Sequence, residues 1–302
     1  MPYTPFDFKN KRHQWASFLK TIRIFLEENQ YTEVFTPSLV DVGAFESTID
    51  TLKVKYSTGT CELHSSPEIE MKAVLSEFPH PIYQICKCFR DDPESNIHAK
   101  EFTMLEFYRP GASSAQIEKE TLSLFSRLAG ITISAHTFSI YELVQNLTGI
   151  NLEEHSSLNS FAQELKTKTT VHFTKEDSWA DLFFKLMIEV VEPALPKNSF
   201  CVINQYPISV SPLSQPIPGT TKAERFEIYF NGIELCNGCT ELTDELALKK
   251  RYAEESDQRL NSSKLPHPPP IKLFESALHA KNYSGVAIGL ERMFFVIESL
   301  KT

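Results

Sequence analysis

An α+β fold, an antiparallel sheet flanked by helices, is predicted from three features of this sequence. Residues 82–110 and 225–240 each hold two runs that alternate at period two, as half-buried antiparallel strands do. Elsewhere apolar residues recur at three and four, the stripe of a helix laid on a core. At 302 residues the chain can bury a large core, and residues 1–302 read as one domain.

Taken in order, Trp15, Phe18, Leu19, Ile22, Phe25 and Leu26 place an amphipathic helix at 9–29. A short strand follows at 31–37, closed by Pro37, which cannot continue a ladder. Residues 40–60 are mixed and polar, expected as a loop or ribbon over the surface. A helix then starts at Ser65-Ser66-Pro67-Glu68, with proline in its first turn and Met71, Val74, Leu75 and Phe78 as its stripe. Ser65 and Glu68 have capping-box spacing, which explains both without a ligand. In the second strand of 82–110, Phe102, Met104, Glu106 and Tyr108 share a face. A carboxylate among such groups is costly to desolvate, so Glu106 calls for a cation, from the fold or from a substrate.

Ser114 caps the next helix, lined by Ile117, Thr121, Leu124, Phe125 and Leu128 and ended by Gly130. Residues 139–195 read as three more helices, the first with a Ser139/Glu142 capping box, and form an insertion in which no chemistry is visible. Residues 200–204 are a short strand, and 207–219, with four prolines, a surface loop.

Asn231-Gly232 between alternating runs predicts a two-residue hairpin, which sets Phe230 opposite Ile233, Tyr229 opposite Glu234 and Glu227 opposite Cys236. Glu227 and Glu234 then share a face as diagonal neighbours, roughly 7 Å apart. Their repulsion is offset either by an arginine on that face, such as Arg225, or by a magnesium ion held with substrate phosphates. Glu241 is a third acid at the strand's end. Residues 243–260 read as a helix with a solvated charged face. Near the C-terminus, Gly285 and Gly289 allow close backbone approach, and Arg292 falls in the first turn of a helix that Gly289 can open.

A net charge of −9 argues against a surface built to grip a nucleic-acid backbone. The first residues lack a signal peptide's pattern and the longest apolar runs are too short for a bilayer, so a cytoplasmic protein without membrane contact is expected. Six cysteines suggest no disulfide framework. A zinc site from Cys86, Cys88, Cys236 and Cys239 can be written down, but C-x-C is not usual structural-zinc spacing, and buried free cysteines are the expectation.

These pieces become specific in their order. A strand ending at Pro37, Phe89-Arg90-x-Asp92, Glu101-Phe102-Thr103, and a terminal Gly-x-Gly-x-Glu-Arg in which Ala287 shifts the first glycine to 285, together resemble the three motifs of class II aminoacyl-tRNA synthetases. SPE at 66–68, EFTMLEFYRP at 101–110, ERFEIYFNGIEL at 224–235 and NGCTELTD at 237–244 look like the lysyl branch. The chain starts at the catalytic domain, so no anticodon-binding domain and no contact with a tRNA anticodon are expected. It is similar to the elongation factor P lysine ligases, truncated lysyl-tRNA synthetase paralogues that activate (R)-β-lysine and attach it to a lysine of elongation factor P. GVAIG at 285–289 supports that branch, since one methyl in a pocket biases substrate choice by roughly 1–3 kcal/mol.

The resemblance implies a class II synthetase catalytic fold, a homodimer through 31–37, and ATP and Mg2+ as co-substrate and cofactor. Arg90 and Arg292 are its implied catalytic residues. It implies ATP binding by Arg90, Asp91, Asp92, His98, Phe102, Glu234, Leu235, Gly289 and Arg292, and magnesium binding by Glu227 and Glu234. Lysine or (R)-β-lysine would meet Ser66, Pro67, Glu68, Glu106, Tyr108, Glu241 and Ala287. The chain departs from the family pattern at Asp91-Asp92, where Asn-Glu is usual, at Ala99, which loses an amide, at Cys239, which replaces a phenylalanine, and at 207–213, which is closer to the synthetases. Two other readings are an enzyme that still charges RNA and a non-catalytic paralogue that senses an amino acid or binds a partner. The retained Arg90, Glu234 and Arg292 speak against the second.

Overall fold

Both alternating stretches become hairpins of one sheet in a computed structural model that describes residues 10–91, 99–277, 279 and 282–301. The strands are β1 (Thr32–Glu33), β2 (Leu39–Val40), β3 (Lys53–Tyr56), β4 (Gly59–Leu63), β5 (Ile82–Phe89), β6 (Glu101–Pro110), β7 (Ala135–Ser139), β8 (Phe200–Asn204), β9 (Arg225–Phe230), β10 (Ile233–Thr240) and β11 (Tyr283–Gly289). The helices are α1 (Arg12–Glu28), α2 (Glu68–Glu77), α3 (Ser114–Ala129), α4 (Ile140–Thr148), α5 (Leu158–Lys168), α6 (Trp179–Leu186), α7 (Glu192–Ala194), α8 (Glu245–Asn261), α9 (Ile271–Ala277) and α10 (Leu290–Ser299).

The main sheet runs β1-β5-β6-β11-β10-β9-β8-β7. It is antiparallel except at its two outer pairs, β1 with β5 and β7 with β8. Alternation divides its faces. Tyr83, Leu105, Phe107, Phe226, Ile228, Val286 and Ile288 point to one side, where Phe18, Ile22 and Leu26 of α1, Ile117 and Phe125 of α3, and Phe294 of α10 close the core. Residues 102, 104, 106 and 108 therefore point the other way, as expected. On that side α4 to α7 cover only the end of the sheet, packing Phe161, Phe183 and Leu186 against Cys201, Ile203 and Tyr229. A cleft is left over β6, β11 and β10.

Several local expectations change. The 31–37 strand shortens to Thr32–Glu33. Residues 40–60 are no simple surface ribbon: β2, β4 and β3 form a small sheet, and the 43–49 strap between β2 and β3 bends into the cleft. The Ser65/Glu68 capping box does not form, because the Ser65 hydroxyl donates to the Gly43 carbonyl, while Ser66 Oγ accepts from the Glu68 N–H. Ser113 rather than Ser114 caps α3, in a box with Gln116. Ser139 precedes α4 without a side-chain cap.

Asn231 and Gly232 both take positive φ, as a tight hairpin turn requires. The pairs Phe230 with Ile233 and Tyr229 with Glu234 hold, but a bulge before Cys236 then sets Cys236 opposite Ile228 and Asn237 opposite Glu227. Cys236 turns to the helix-covered core and Asn237 to the cleft. Nor is α8 charged only toward solvent: Glu255 accepts from the Ser47 N–H, and Arg259 donates to the Ser47 and Ile49 carbonyls and pairs with Asp50, so buried charges hold the strap.

Candidate active site

Two connected cavities occupy the cleft, sharing Glu46, Ile49, Arg90, Met104, Pro212, Arg225, Asn237 and Ala287 as lining. The inner one, of about 110 Å³, is walled by Ser66, Glu68, Glu106, Tyr108, Cys239, Glu241 and Gly285. The outer one, of about 490 Å³, is walled by Arg90, Phe102, Glu227, Glu234, Leu235, Gly289 and Arg292. The residues expected to bind an amino acid thus fall mainly in one compartment and those expected to bind ATP mainly in the other. Four do not follow. Pro67 only precedes α2, and Asp91 pairs with Lys100 at the surface, so neither lines the cleft. Asp92 and His98 lie outside the described residues.

Strand β6 delivers Glu106 to the inner cavity, where it is 1% exposed. Ser66 Oγ donates to one carboxylate oxygen at 2.5 Å and the Tyr108 hydroxyl to the other at 2.8 Å. Burial, then the neighbouring Glu68 charge, nevertheless raises the Glu106 carboxyl to about 8. Tyr108 can lie there only because residue 285 is glycine: a Cβ would fall 2.1 Å from its ring.

Lys72, which the sequence reading passed over, completes this cavity's electrostatics. Its side chain is 1% exposed and its ammonium lies 2.5 Å from Glu68 and 2.6 Å from Glu241. The i,i+4 spacing of Glu68 and Lys72 was visible in the sequence as a helix pair. The contact with Glu241, from beyond the end of β10, was not. Burial still raises Glu241 to about 7, Lys72 pulling the other way. Among these four side chains, three carboxylates against one ammonium leave two negative charges when all are ionised, while Glu46 adds a carboxylate and Arg90 and Arg225 add two cations to the lining shared with the outer cavity.

In the outer cavity, Arg90 stacks on the Phe102 ring at 5.3 Å, and its buried Nε has no partner among the described residues. Arg292 donates to the Glu234 carbonyl at 3.1 Å and lies 3.9 Å from its carboxylate. Leu235 reaches the wall from the bulge, with its side chain buried in the helix-side core. Glu227 already has three donors: Arg225, Tyr206 and Tyr229 donate to it at 2.6, 2.6 and 2.5 Å. Of the two readings of the Glu227/Glu234 pair, the arginine offset is therefore realised for Glu227, while Glu234, with 41% of its side chain exposed, remains open.

The helical segment after β7 also contributes here, against the expectation that it carries no chemistry. It brings Phe184, Ile188 and Glu192 to the outer wall. Burial, then the charges of Glu234 and Glu227, raises the Glu192 carboxyl to about 7. This surplus of carboxylate beside the cationic Arg90 and Arg292 is donor chemistry that suits a hard divalent cation. Glu46, Glu192 and Asn237 were not found from sequence because a loop fold, a helix packing and a bulge bring them in.

A family model described as tRNA synthetases class II (D, K and N) matches residues 8–302. The chain is 32% identical over 286 residues, 93% of its length and 92% of the relative's, to a protein of Aquifex aeolicus named as an elongation factor P–(R)-β-lysine ligase homolog. It is likewise 32% identical to the elongation factor P–(R)-β-lysine ligase of Haemophilus influenzae, with 96% and 91% covered. It is 31% identical to that of Mannheimia succiniciproducens, with 92% and 88% covered.

Proposed function

The chain belongs to the class II tRNA synthetase family, on its elongation factor P lysine ligase branch, and we propose that it activates (R)-β-lysine with ATP and transfers it to a lysine of elongation factor P. It is a ligase of the synthetase type, forming an amide bond through an aminoacyl-adenylate.

The charge of the inner cavity carries the reading. Glu68, Glu106 and Glu241 set against the single Lys72 make a carboxylate-rich compartment that suits a molecule with two ammonium groups, and lysine isomers have two. Glu106 with Tyr108 and Ser66 would hold one ammonium. Glu68 and Glu241, kept apart and half-neutralised by Lys72, would hold the other, with Ala287 bounding the site. The substrate carboxylate is then directed toward the outer cavity, where Arg90 would grip the α-phosphate of an ATP whose adenine lies against Phe102 and the wall formed by Leu235 and Gly289. In-line attack by the carboxylate gives the adenylate and expels pyrophosphate, and Arg292 would take up charge on the outer phosphates. The protein's task is mainly positioning and charge stabilisation. Glu234 and Glu192, with Glu227 behind them, would hold Mg2+, which neutralises developing phosphate charge when bound. The acceptor amine then attacks the adenylate carbonyl, releasing AMP and leaving an amide. Acting on a translation factor, the protein would work in the cytoplasm.

Exchange of labelled pyrophosphate into ATP, run across lysine isomers, tests activation: exchange dependent on (R)-β-lysine is expected, and no exchange with any amino acid would overturn the enzyme reading. Labelled (R)-β-lysine offered to elongation factor P and tRNA together should mark the protein. Label in the RNA would instead make this an RNA-charging enzyme.

A further inference from the structure

One cluster outside the two cavities offers the donors of a soft-metal site. Cys86 and Cys88 stand on β5, and period-two alternation gives their thiols one face, with the Sγ atoms 3.9 Å apart. A strand holds neighbours at i and i+2 too far apart for a relaxed disulfide, and 3.9 Å is nearly twice an S–S bond. It is close to the separation of about 3.8 Å that two thiolates take on one tetrahedral zinc at 2.3 Å each.

His64, just past β4, supplies a third donor. Its carbonyl accepts from the Phe89 N–H at 3.0 Å, which ties its backbone to the end of β5. A ring nitrogen of His64 and both sulfurs lie within 4.8 Å of one another. The residue is 1% exposed. Its Nε2 bonds the Lys87 carbonyl at 2.8 Å, while its Nδ1 is buried with no partner among the described residues. A ring nitrogen fixed on a carbonyl, leaving the other as a lone-pair donor, is how metal-binding histidines are oriented.

We propose that His64 Nδ1, Cys86 Sγ and Cys88 Sγ form a binding site for a single zinc ion, with its fourth position taken by water. Two thiolates and a neutral imidazole make the zinc complex electrically neutral, which suits a buried position better than a monovalent ion would. Cys236 and Cys239 take no part: the first faces the helix-covered core and the second lines the inner cavity beside Glu241. The site is separate from the carboxylates of the outer cavity, which are magnesium-type ligands.

The test uses Co2+ as a spectroscopic stand-in for zinc on the full-length, metal-stripped protein. One equivalent should produce a thiolate-to-cobalt charge-transfer band in the near ultraviolet, and one equivalent of Zn2+ should bleach it. Carboxylate-bound Co2+ gives no such band, so occupancy of the outer cavity is not mistaken for the site. Cys86→Ser, Cys88→Ser and His64→Gln should each weaken Zn2+ binding at least 100-fold, and Cys61→Ser should leave it unchanged. Melting curves of the apo variants show that each still folds. Absence of the band in the parent protein, or a band that survives Cys86→Ser and Cys88→Ser, would overturn the proposal.

Discussion

A carboxyl whose two oxygens are bonded and which is still raised to about 8 is ionised only at some cost to the fold. Between its ordinary 4.5 and about 8 the folded chain keeps a proton on Glu106 that the unfolded chain has released, so this residue's contribution to stability falls as pH rises through that window. A substrate ammonium binds the ionised form. Binding therefore releases the proton below pH 8, and the KM for the amino acid should fall by at most about tenfold per pH unit on approaching pH 8. Glu106→Gln separates the two effects. Amino-acid-dependent pyrophosphate exchange should drop by about 100-fold or more, since an unpaired buried charge costs about 3–5 kcal/mol. The melting temperature at pH 8 should rise by about 2–4 °C for each kcal/mol relieved. Lys72→Met should act in the opposite sense. It strips the cation from Glu68 and Glu241, so stability should fall by about 3 kcal/mol at pH 8 and recover toward pH 6 as the Glu241 carboxyl takes up a proton. Denaturant melts at the two pH values read this directly, and an equal loss at both would refute the charge argument.

At the scale of elements, the β6 and β11 pairing fixes the inner cavity, with Ala287 opposite Glu106 and Gly285 opposite Tyr108. Gly285→Ala should displace the Tyr108 ring and pull its hydroxyl from Glu106, abolishing exchange while the helix-side core keeps its far-ultraviolet dichroism. The β5 and β6 hairpin and its face were legible because period-two alternation is local and survives folding. So was the β9 and β10 turn, fixed by Asn231-Gly232. The register beyond that turn was not. A bulge leaves no mark in an alternating sequence, and it is what exchanges Cys236 for Asn237 on the cleft side. Glu192 was hidden for another reason: its helix reads as an ordinary amphipathic insertion, and only its packing on β8 and β9 brings that carboxyl to Glu234. Glu192→Gln should raise the Mg2+ concentration needed for half-maximal exchange severalfold, with the KM for the amino acid unchanged. A change confined to the amino-acid KM would remove Glu192 from the outer cavity's function.

At the scale of the whole molecule, β1 is one of the main sheet's two edge strands. Strand β1 is only two residues long, pairs among the described residues with β5 alone, and is followed by Phe35 at 81% and Leu39 at 54% exposure. Bare edges and protruding aromatic residues together are features that a partner surface covers. We propose a two-fold dimer through this edge, formed by residues 31–37 of each copy with the exposed Leu39 beside them. In such an interface each residue acts twice, so Phe35→Glu removes two buried rings. At roughly 1.5–3 kcal/mol for each, the dissociation constant should rise by about 100-fold or more. The net charge of −9 on each copy adds a second signature: repulsion between like-charged subunits is screened by salt, so the parent dimer should tighten as ionic strength rises. Sedimentation equilibrium at micromolar concentration, at low and high salt, measures both effects. A dimer in the parent that becomes a monomer in Phe35→Glu is expected. A parent that sediments as a monomer under both conditions, or a variant as dimeric as the parent, would place the interface elsewhere or remove it.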